Sequence, residues 1–236
     1  MLIEEFIEGS NRSSSVDMLF GLYKKAMADI GFDRLIFSLM TDHVHIQRQA
    51  GHGIMLNYPE DWMKYYVQKN FAALDPVRAG MYSADSIFVW DDLNNLTDGQ
   101  KDFMDQGVEA RLYDGVGIPL RGPQGAIAGV GAASSSGGLE LNNAVLSYAN
   151  LLSYQFYTVF LGLEKKTDSP PVFLSARERE ILQWFAKGKT RWEIGEILEI
   201  SEHTVAYHLK SIFQKLSANN ITMAVLKALH MGAIQP

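Results

Sequence analysis

The apolar positions of this chain change period along its length, and each change marks an element. Over residues 11–30, Val16, Leu19, Phe20, Tyr23, Met27 and Ile30 recur at helical spacing, with Ser13 to Ser15 to cap the helix and Gly31 to end it. Short apolar runs at 34–40 and 44–49 then predict strands. Helical spacing returns over 59–70, with Pro59 near the first turn, and more faintly over 97–107. Segments 115–121 and 126–133 flank Gly122, Pro123 and Gly125, the pattern of a β-hairpin. A long helix is predicted over 142–163, with Val145, Leu152, Phe156 and Phe160 on one side. Antiparallel strands in the middle with helices at both ends predict an α/β/α sandwich, with room for a ligand between its layers.

Residues 165–172 pair charges and then run through Ser169, Pro170 and Pro171, which reads as a linker between domains at 1–164 and 173–236. Beyond it the pattern is purely helical, so the whole chain is α+β with an all-α C-terminal domain of four helices. Ser175-Ala-Arg-Glu178 and Thr190-Arg-Trp-Glu193 have the form of capping boxes, each opening a helix. Gly188 is placed to end the first, and Ser201 caps a third. In that third helix Val205, Leu209, Ile212, Phe213 and Leu216 form one buried face, while His203, Ala206, Tyr207, Lys210 and Gln214 lie opposite. A short helix, a tight turn at 199–201 and a longer helix with a polar outer face make a helix-turn-helix, whose second helix enters the major groove of double-stranded DNA. A fourth helix over 221–231 carries Val225 and Ala228 three apart, the expected contacts of a homodimer.

Composition narrows the chemistry. A length of 236 residues suits two unequal domains. The absence of cysteine excludes disulfides, thiolate metal sites and thiol nucleophiles, and fits a reducing compartment. No signal peptide and no apolar run near the ~18 residues of a membrane span are visible, so the expected location is the cytoplasm. Residues 1–171 carry 13 Lys and Arg against 21 Asp and Glu, whereas 172–236 carry 8 against 6. The acidic part is unsuited to nucleic acid, and the weakly basic part can meet it only through clustered cations. His43 and His45 alternate on a predicted strand, yet no third ligand accompanies them, so no metal is expected. Neither a nucleophile elbow, a phosphate-binding loop nor a dinucleotide fingerprint is present, which argues against an enzyme.

The residues Phe173-Leu-Ser-x-Arg-Glu-x-Glu-Ile-Leu182, Gly188-Lys-Thr190, Glu193-Ile194, Ser201-x-x-Thr-Val205, His208 and Lys215-Leu216 resemble the C-terminal domain of LuxR-type regulators. That resemblance implies Lys189, Thr190 and Thr204 near phosphates, which orient a protein on DNA without specifying sequence. It implies Ala206 and Lys210 at base edges, where Lys210 donates to guanine O6 and N7 and Ala206 offers only contact with a thymine methyl. His203 and Tyr207 are either structural or phosphate-facing.

In the N-terminal part, Asn57-Tyr-Pro-Glu-Asp-Trp62-x-x-x-Tyr66-x-x-x-Asn70-Phe71-x-x-x-Asp75-Pro76-Val77, Phe88-Val-Trp90 and Gly115-Val-Gly-Ile-Pro119 resemble the acyl-homoserine lactone-binding domain of the quorum-sensing branch. Independently, Tyr58, Trp62 and Tyr66 recur every four residues, which predicts three aromatics with polar tips on one helical face, and an acid beside them needs a donor. The resemblance implies that Asp75 accepts from the ligand amide, Trp62 donates to the ring carbonyl and Tyr58 to the acyl carbonyl. Tyr66 and Trp90 then pack around the head group, and Ile36, Ser38 and Val77 line the acyl channel. Relatives often carry Ser or Thr where Gly131 stands, so the missing hydroxyl and the extra volume suggest a bulky, branched or aryl acyl group. The function expected is a quorum-sensing transcription factor that binds an acyl-homoserine lactone, needs no cofactor, and acts as a homodimer on DNA with RNA polymerase as partner. The alternatives are a regulator of the same architecture that senses another metabolite or none, which a direct Trp62–Asp75 hydrogen bond would favour, and a lactone- or amide-cleaving enzyme with an appended module.

Overall fold

The computed structural model describes residues 3–165 and 174–235. The predicted linker, apart from Lys165, and Phe173 lie outside the described residues. The chain divides into two compact units.

The N-terminal unit runs α1 (Ile3–Asn11), α2 (Val16–Ala28), β1 (Arg34–Leu39), β2 (Gly51–Leu56), α3 (Glu60–Gln68), α4 (Pro76–Ser83), β3 (Phe88–Val89), α5 (Asp98–Glu109), β4 (Tyr113–Arg121), β5 (Ile127–Ser134) and α6 (Asn143–Glu164). The strands form one antiparallel sheet in the order β2-β1-β5-β4-β3. Because side chains alternate across a sheet, its two faces can be read separately. One face presents Leu35, Phe37 and Leu39 of β1, Val116, Ile118 and Leu120 of β4, and Ala128, Val130 and Ala132 of β5, all buried. These residues meet α2 and α6 in the main core, where Phe37 lies edge-on to Phe156 and Phe160 with centroids 5.0 Å apart. The Tyr23 and Ser153 hydroxyls share a buried hydrogen bond of 2.6 Å that ties α2 to α6. The opposite face belongs to the site described below.

Several elements differ from expectation, among them helix α1 and the two-residue strand β3, which were not anticipated. The segment 44–49 is not a strand: Val44–Ile46 is a single 3-10 turn, closed by Gln47 in the left-handed region (φ 56°). The edge strand is instead Gly51–Leu56, whose two glycines weaken its strand signal. His43 and His45 therefore do not share a strand face. His43 is fully buried; its Nδ1 donates to the Thr41 carbonyl at 2.8 Å, so its Nε2 accepts from the Tyr157 hydroxyl at 2.6 Å. Burial lowers its pKa and keeps the ring neutral. Helix α4 was not anticipated, although Asp75 followed by Pro76 is an N-cap with proline at the first helical position.

The C-terminal unit is α7 (Ala176–Ala186), α8 (Arg191–Leu198), α9 (Glu202–Leu216) and α10 (Ile221–His230). Both capping boxes form reciprocally, at Ser175 with Glu178 and at Thr190 with Glu193. Ile181, Leu182, Ile194, Val205, Ile212, Ala224 and Ala228 are fully buried in the shared core. Glu178 does more than cap. One of its oxygens accepts from Ser211 at 2.7 Å and the other from Lys215 at 2.7 Å, so α7 is bonded to α9. Burial pushes this carboxyl up, but the bonds from Lys215, Ser211 and the Ser175 amide outweigh it and hold the pKa at about 2. Ala228 is fully buried in the core and so offers no surface to a partner, while Val225 is only partly buried. The exposed apolar residues of α10 are Met223 and Leu226.

Candidate functional site

The second face of the sheet is made largely of absent side chains. Glycines occupy 115 and 117 of β4 and 129 and 131 of β5, with Gly117 paired to Gly131. Aromatic and thioether groups fill that space, Phe88 from the edge strand β3 and Trp90 and Met81 from outside the sheet. A Cβ on Gly115 would collide with the Trp90 indole and one on Gly117 with the Phe88 ring, while one on Gly129 would come 2.7 Å from the Met81 sulfur. Trp90 thus lies flat on the backbone of β4. Gly131 follows the same rule, contrary to the expectation of spare volume. A Cβ there would sit 2.9 Å from Ile36 Cγ2 and 3.0 Å from the Tyr58 hydroxyl. The room that glycine leaves is already used by these two residues.

Between this glycine face and helices α3, α4 and α5 lies a cavity of about 70 Å³. The structure brings every residue expected at the ligand to its wall: Ile36, Ser38, Tyr58, Trp62, Tyr66, Asp75, Val77, Trp90 and Gly131. Tyr58 arrives by a different route from the one its spacing suggested. Helix α3 begins at Glu60 with Pro59 as N-cap, so only Trp62 and Tyr66 share a helical face and Tyr58 enters from the preceding loop. Phe71 and Phe103 brace the two helical aromatics, with centroids of 5.7 Å from Trp62 to Phe103 and 6.0 Å from Tyr66 to Phe71.

Asp75 is the charge at the centre of this wall, and it is only 9% exposed. Its Oδ1 accepts from the Arg78 amide at 3.0 Å, capping α4, and its Oδ2 accepts from the Tyr66 hydroxyl at 2.9 Å. Tyr66 therefore orients the carboxylate in addition to packing, and Asp75 is bonded to Tyr66 and not to Trp62. Burial raises the Asp75 pKa, while amide hydrogen bonds from Arg78 and Val77, the Tyr66 hydroxyl and the Arg78 charge oppose the rise.

Three other polar groups of the wall are buried without a hydrogen-bond partner: the Tyr58 hydroxyl, Trp90 Nε1 and His52 Nε2. Buried polar atoms are nearly always paired, so a cluster of unpaired ones beside a carboxylate marks a place built for a polar molecule. The sequence reading missed His52, Arg78 and Met81. His52 stacks on Tyr66 at 4.6 Å, and its Nδ1 faces Ser38 Oγ at 3.3 Å and Arg78 Nη1 at 3.4 Å. An isolated histidine between two glycines carries no pattern that could have placed it there.

In the other unit, α8, a turn and α9 form the predicted helix-turn-helix. Glu199 takes the left-handed conformation at the end of α8 (φ 53°), and Gly195 lets the turn pass close, since a Cβ there would meet the Ile200 carbonyl at 2.8 Å. Arg177 closes the same end by donating to the Leu198 carbonyl at 2.7 Å. On the outer face of α9, His203, Tyr207 and Lys210 are exposed, while Thr204 and Ala206 are half-buried between them. Lys189 and Thr190 sit at the start of α8, both bonded to Glu193, at 3.2 Å from Lys189 Nζ and 2.9 Å from Thr190 Oγ1. The Thr190 amide and hydroxyl, helped by Lys189, hold the Glu193 carboxyl at about 2. Among the described residues, no His, Asp and Glu cluster is placed to hold a metal ion, and no helix is long and apolar enough to cross a membrane.

Comparison with known proteins agrees with both halves. The autoinducer binding domain profile matches residues 15–158, and that of bacterial regulatory proteins of the luxR family matches 172–228. The quorum sensing-dependent transcriptional regulator RpaR of Rhodopseudomonas palustris is 33% identical over 98% of this chain and 94% of its own length. The transcriptional activator BjaR1 of Bradyrhizobium diazoefficiens is 30% identical over 98% of this chain and 96% of its own. Among solved structures, Escherichia coli SdiA superposes with a TM-score of 0.73 at 25% identity, covering 99% of this chain and 98% of that one. The family is one of regulators and not of enzymes. With an autoinducer-binding fold around an apolar cavity that carries a few polar groups and a luxR-type helix-turn-helix following it in sequence, the chain belongs to the LuxR-type quorum-sensing family of transcriptional regulators.

Proposed function

We propose that this chain is a receptor for an N-acyl-homoserine lactone that controls transcription as a homodimer on double-stranded DNA. Residues 1–164 hold the ligand, 173–236 hold DNA, and 165–172 join them. The observation that carries the reading is the Asp75 carboxylate, buried and oriented by Tyr66 and the Arg78 amide, beside the unpartnered Tyr58 hydroxyl and Trp90 indole N–H. An acceptor next to two donors in an apolar wall is complementary to an amide, whose N–H gives to Asp75 and whose carbonyl receives from Tyr58. Trp62 donates to the lactone carbonyl, Tyr66 and Trp90 enclose the ring, and the acyl chain runs past Ile36, Ser38, Val77 and Gly131. On DNA, Lys210 and Ala206 read base edges, while Lys189, Thr190, His203, Thr204 and Tyr207 meet phosphates. The 71% exposure of Tyr207 supports the phosphate-facing reading over a structural one. RNA polymerase is the partner that such a regulator addresses, and the cytoplasm, where bacterial DNA lies, is its place of action.

The test is to express the protein with a panel of acyl-homoserine lactones, purify it, extract it with organic solvent and identify the bound molecule by mass spectrometry. One lactone retained in stoichiometric amount supports the reading. An extract free of lactone, or one holding a different metabolite, refutes it.

A further inference from the structure

The donors assigned to the amide do not account for His52. It lines the same cavity, yet belongs to a different stretch of it. Ile36 is paired with Gly131, near the Tyr58 hydroxyl and the Trp90 ring, whereas Ser38, which contacts His52, is paired with Gly129. Two residues along β1 is about 7 Å, so Ser38 lies about that far along the strand from Ile36, and His52 is taken at the level of the Ser38 side chain that it contacts.

The hydrogen bonds around the ring determine which nitrogen carries its proton. Arg78 Nη1 can only donate, so His52 Nδ1 is an acceptor toward it. Ser38 Oγ already accepts from the Gly53 amide at 2.9 Å, which leaves its own proton for the same Nδ1 at 3.3 Å. With Nδ1 accepting, a neutral ring holds its hydrogen on Nε2, the buried atom that has no partner. Burial and the Arg78 charge lower the ring's pKa to about 4, so the neutral form prevails at physiological pH.

Resting on the lactone reading above, we propose that His52 is a specificity-determining residue, whose Nε2–H donates to an oxygen borne by the ligand's acyl group beyond the amide carbonyl. A distance of about 7 Å corresponds to roughly five carbon–carbon bonds, so the preferred ligand carries a hydroxyl, keto or ether oxygen near the sixth carbon or at the far side of a ring. Ser38 and Arg78 are positioning residues: they direct the His52 proton outward and do not themselves select the ligand. An all-hydrocarbon chain would leave this N–H buried and unpaired.

Calorimetry on the full-length protein with two matched probes tests this, N-hexanoyl- and N-(6-hydroxyhexanoyl)-homoserine lactone. The wild type should bind the hydroxylated probe about 3–10-fold more tightly. His52→Phe should bring the ratio of the two affinities to about one, whatever it does to the affinity for either probe, and His52→Gln, which retains an N–H donor, should keep part of the preference. Equal affinities in the wild type, or an unchanged ratio in His52→Phe, overturn the assignment of His52 and leave the lactone reading standing. Failure of the wild type to bind either probe overturns this inference, while the lactone reading is decided by the extraction described above. Should His52→Phe not fold, the wild-type ratio and His52→Gln decide the matter.

Discussion

Asp75→Asn separates the two tasks that one carboxylate performs. In the folded protein Oδ1 caps α4 through the Arg78 amide, and Oδ2 accepts from the Tyr66 hydroxyl. Asparagine caps helices as well as aspartate does, and its amide nitrogen can face Tyr66 with the phenol turned from donor to acceptor. The helix start therefore survives. Burial raises the Asp75 pKa, so the folded state holds the carboxyl proton more tightly than the unfolded chain does, and this group's contribution to stability weakens as pH rises above the unfolded value. Removing the charge should thus leave the ligand-free melting temperature at pH 7 unchanged or raised. Ligand affinity should fall, because the lactone amide N–H would meet an N–H donor in place of an anionic acceptor. A hydrogen bond to a charged group contributes about 1.5–3 kcal/mol, which corresponds to a loss of roughly 10–150-fold. Thermal melting without ligand and calorimetry with the lactone identified by extraction measure the two effects separately. Unchanged affinity in a folded Asp75→Asn protein would refute the assignment of Asp75 as the amide acceptor.

Lys210→Ala should keep ligand affinity and lose about 1–3 kcal/mol of discrimination between operator and mutated sites, measured by competitive gel shift; equal loss on every sequence would make Lys210 a phosphate contact. A footprint should cover two half-sites about 34 Å apart, and protection of one half-site by a monomer would contradict the dimer. Gly131→Ser adds atoms where Ile36 Cγ2 and the Tyr58 hydroxyl leave only 2.9 and 3.0 Å, an overpacking of about 1–3 kcal/mol. Dose-response curves for straight, branched and aryl lactones should then move apart, and a common shift would leave Gly131 a purely structural residue. Glu178, held at about 2 against an ordinary 4.5, contributes stability that is complete above pH 4.5 and lost as pH falls toward 2. Acid melting of the C-terminal unit should be flatter over that window in Glu178→Gln, and identical curves would exclude Glu178 as its source.

Much of this arrangement could be read before any coordinates. Capping boxes are local, so Ser175 with Glu178 and Thr190 with Glu193 located two helices to the residue. The place of Trp62 and Tyr66 on the cavity wall was legible because helical spacing and a family motif coincide on them, and that of Asp75 from the motif alone. What escaped depends on partners distant in sequence. Glu178 bonds residues more than 30 positions away, and His43 is buried by a tyrosine 114 residues later. His52 acquires its role only when β2 lies beside β1 and Arg78 approaches from α4. Ala228 looked like an interface residue because small side chains suit both a dimer seam and a helix core, and periodicity does not distinguish them. The meaning of Gly131 was inverted for a similar reason, since sequence shows that a side chain is missing but not which neighbour moves in.

The glycine face of the sheet bears on how this protein tolerates mutation. At 115 the neighbour displaced by any new side chain is the Trp90 indole of the cavity wall, and at 117 and at Gly80, where a Cβ would come 2.6 Å from it, the neighbour is the Phe88 ring, two residues before Trp90 on β3. In a saturating scan scored by transcriptional output, these three positions should reject alanine as strongly as the cavity aromatics reject it. They would form a second class of signalling-null positions, in residues that have no side chain to offer a ligand. Proteins drifting toward a new signal would then change the rings first and keep the glycines, because a ring can be exchanged singly while a filled glycine displaces the ring resting on it.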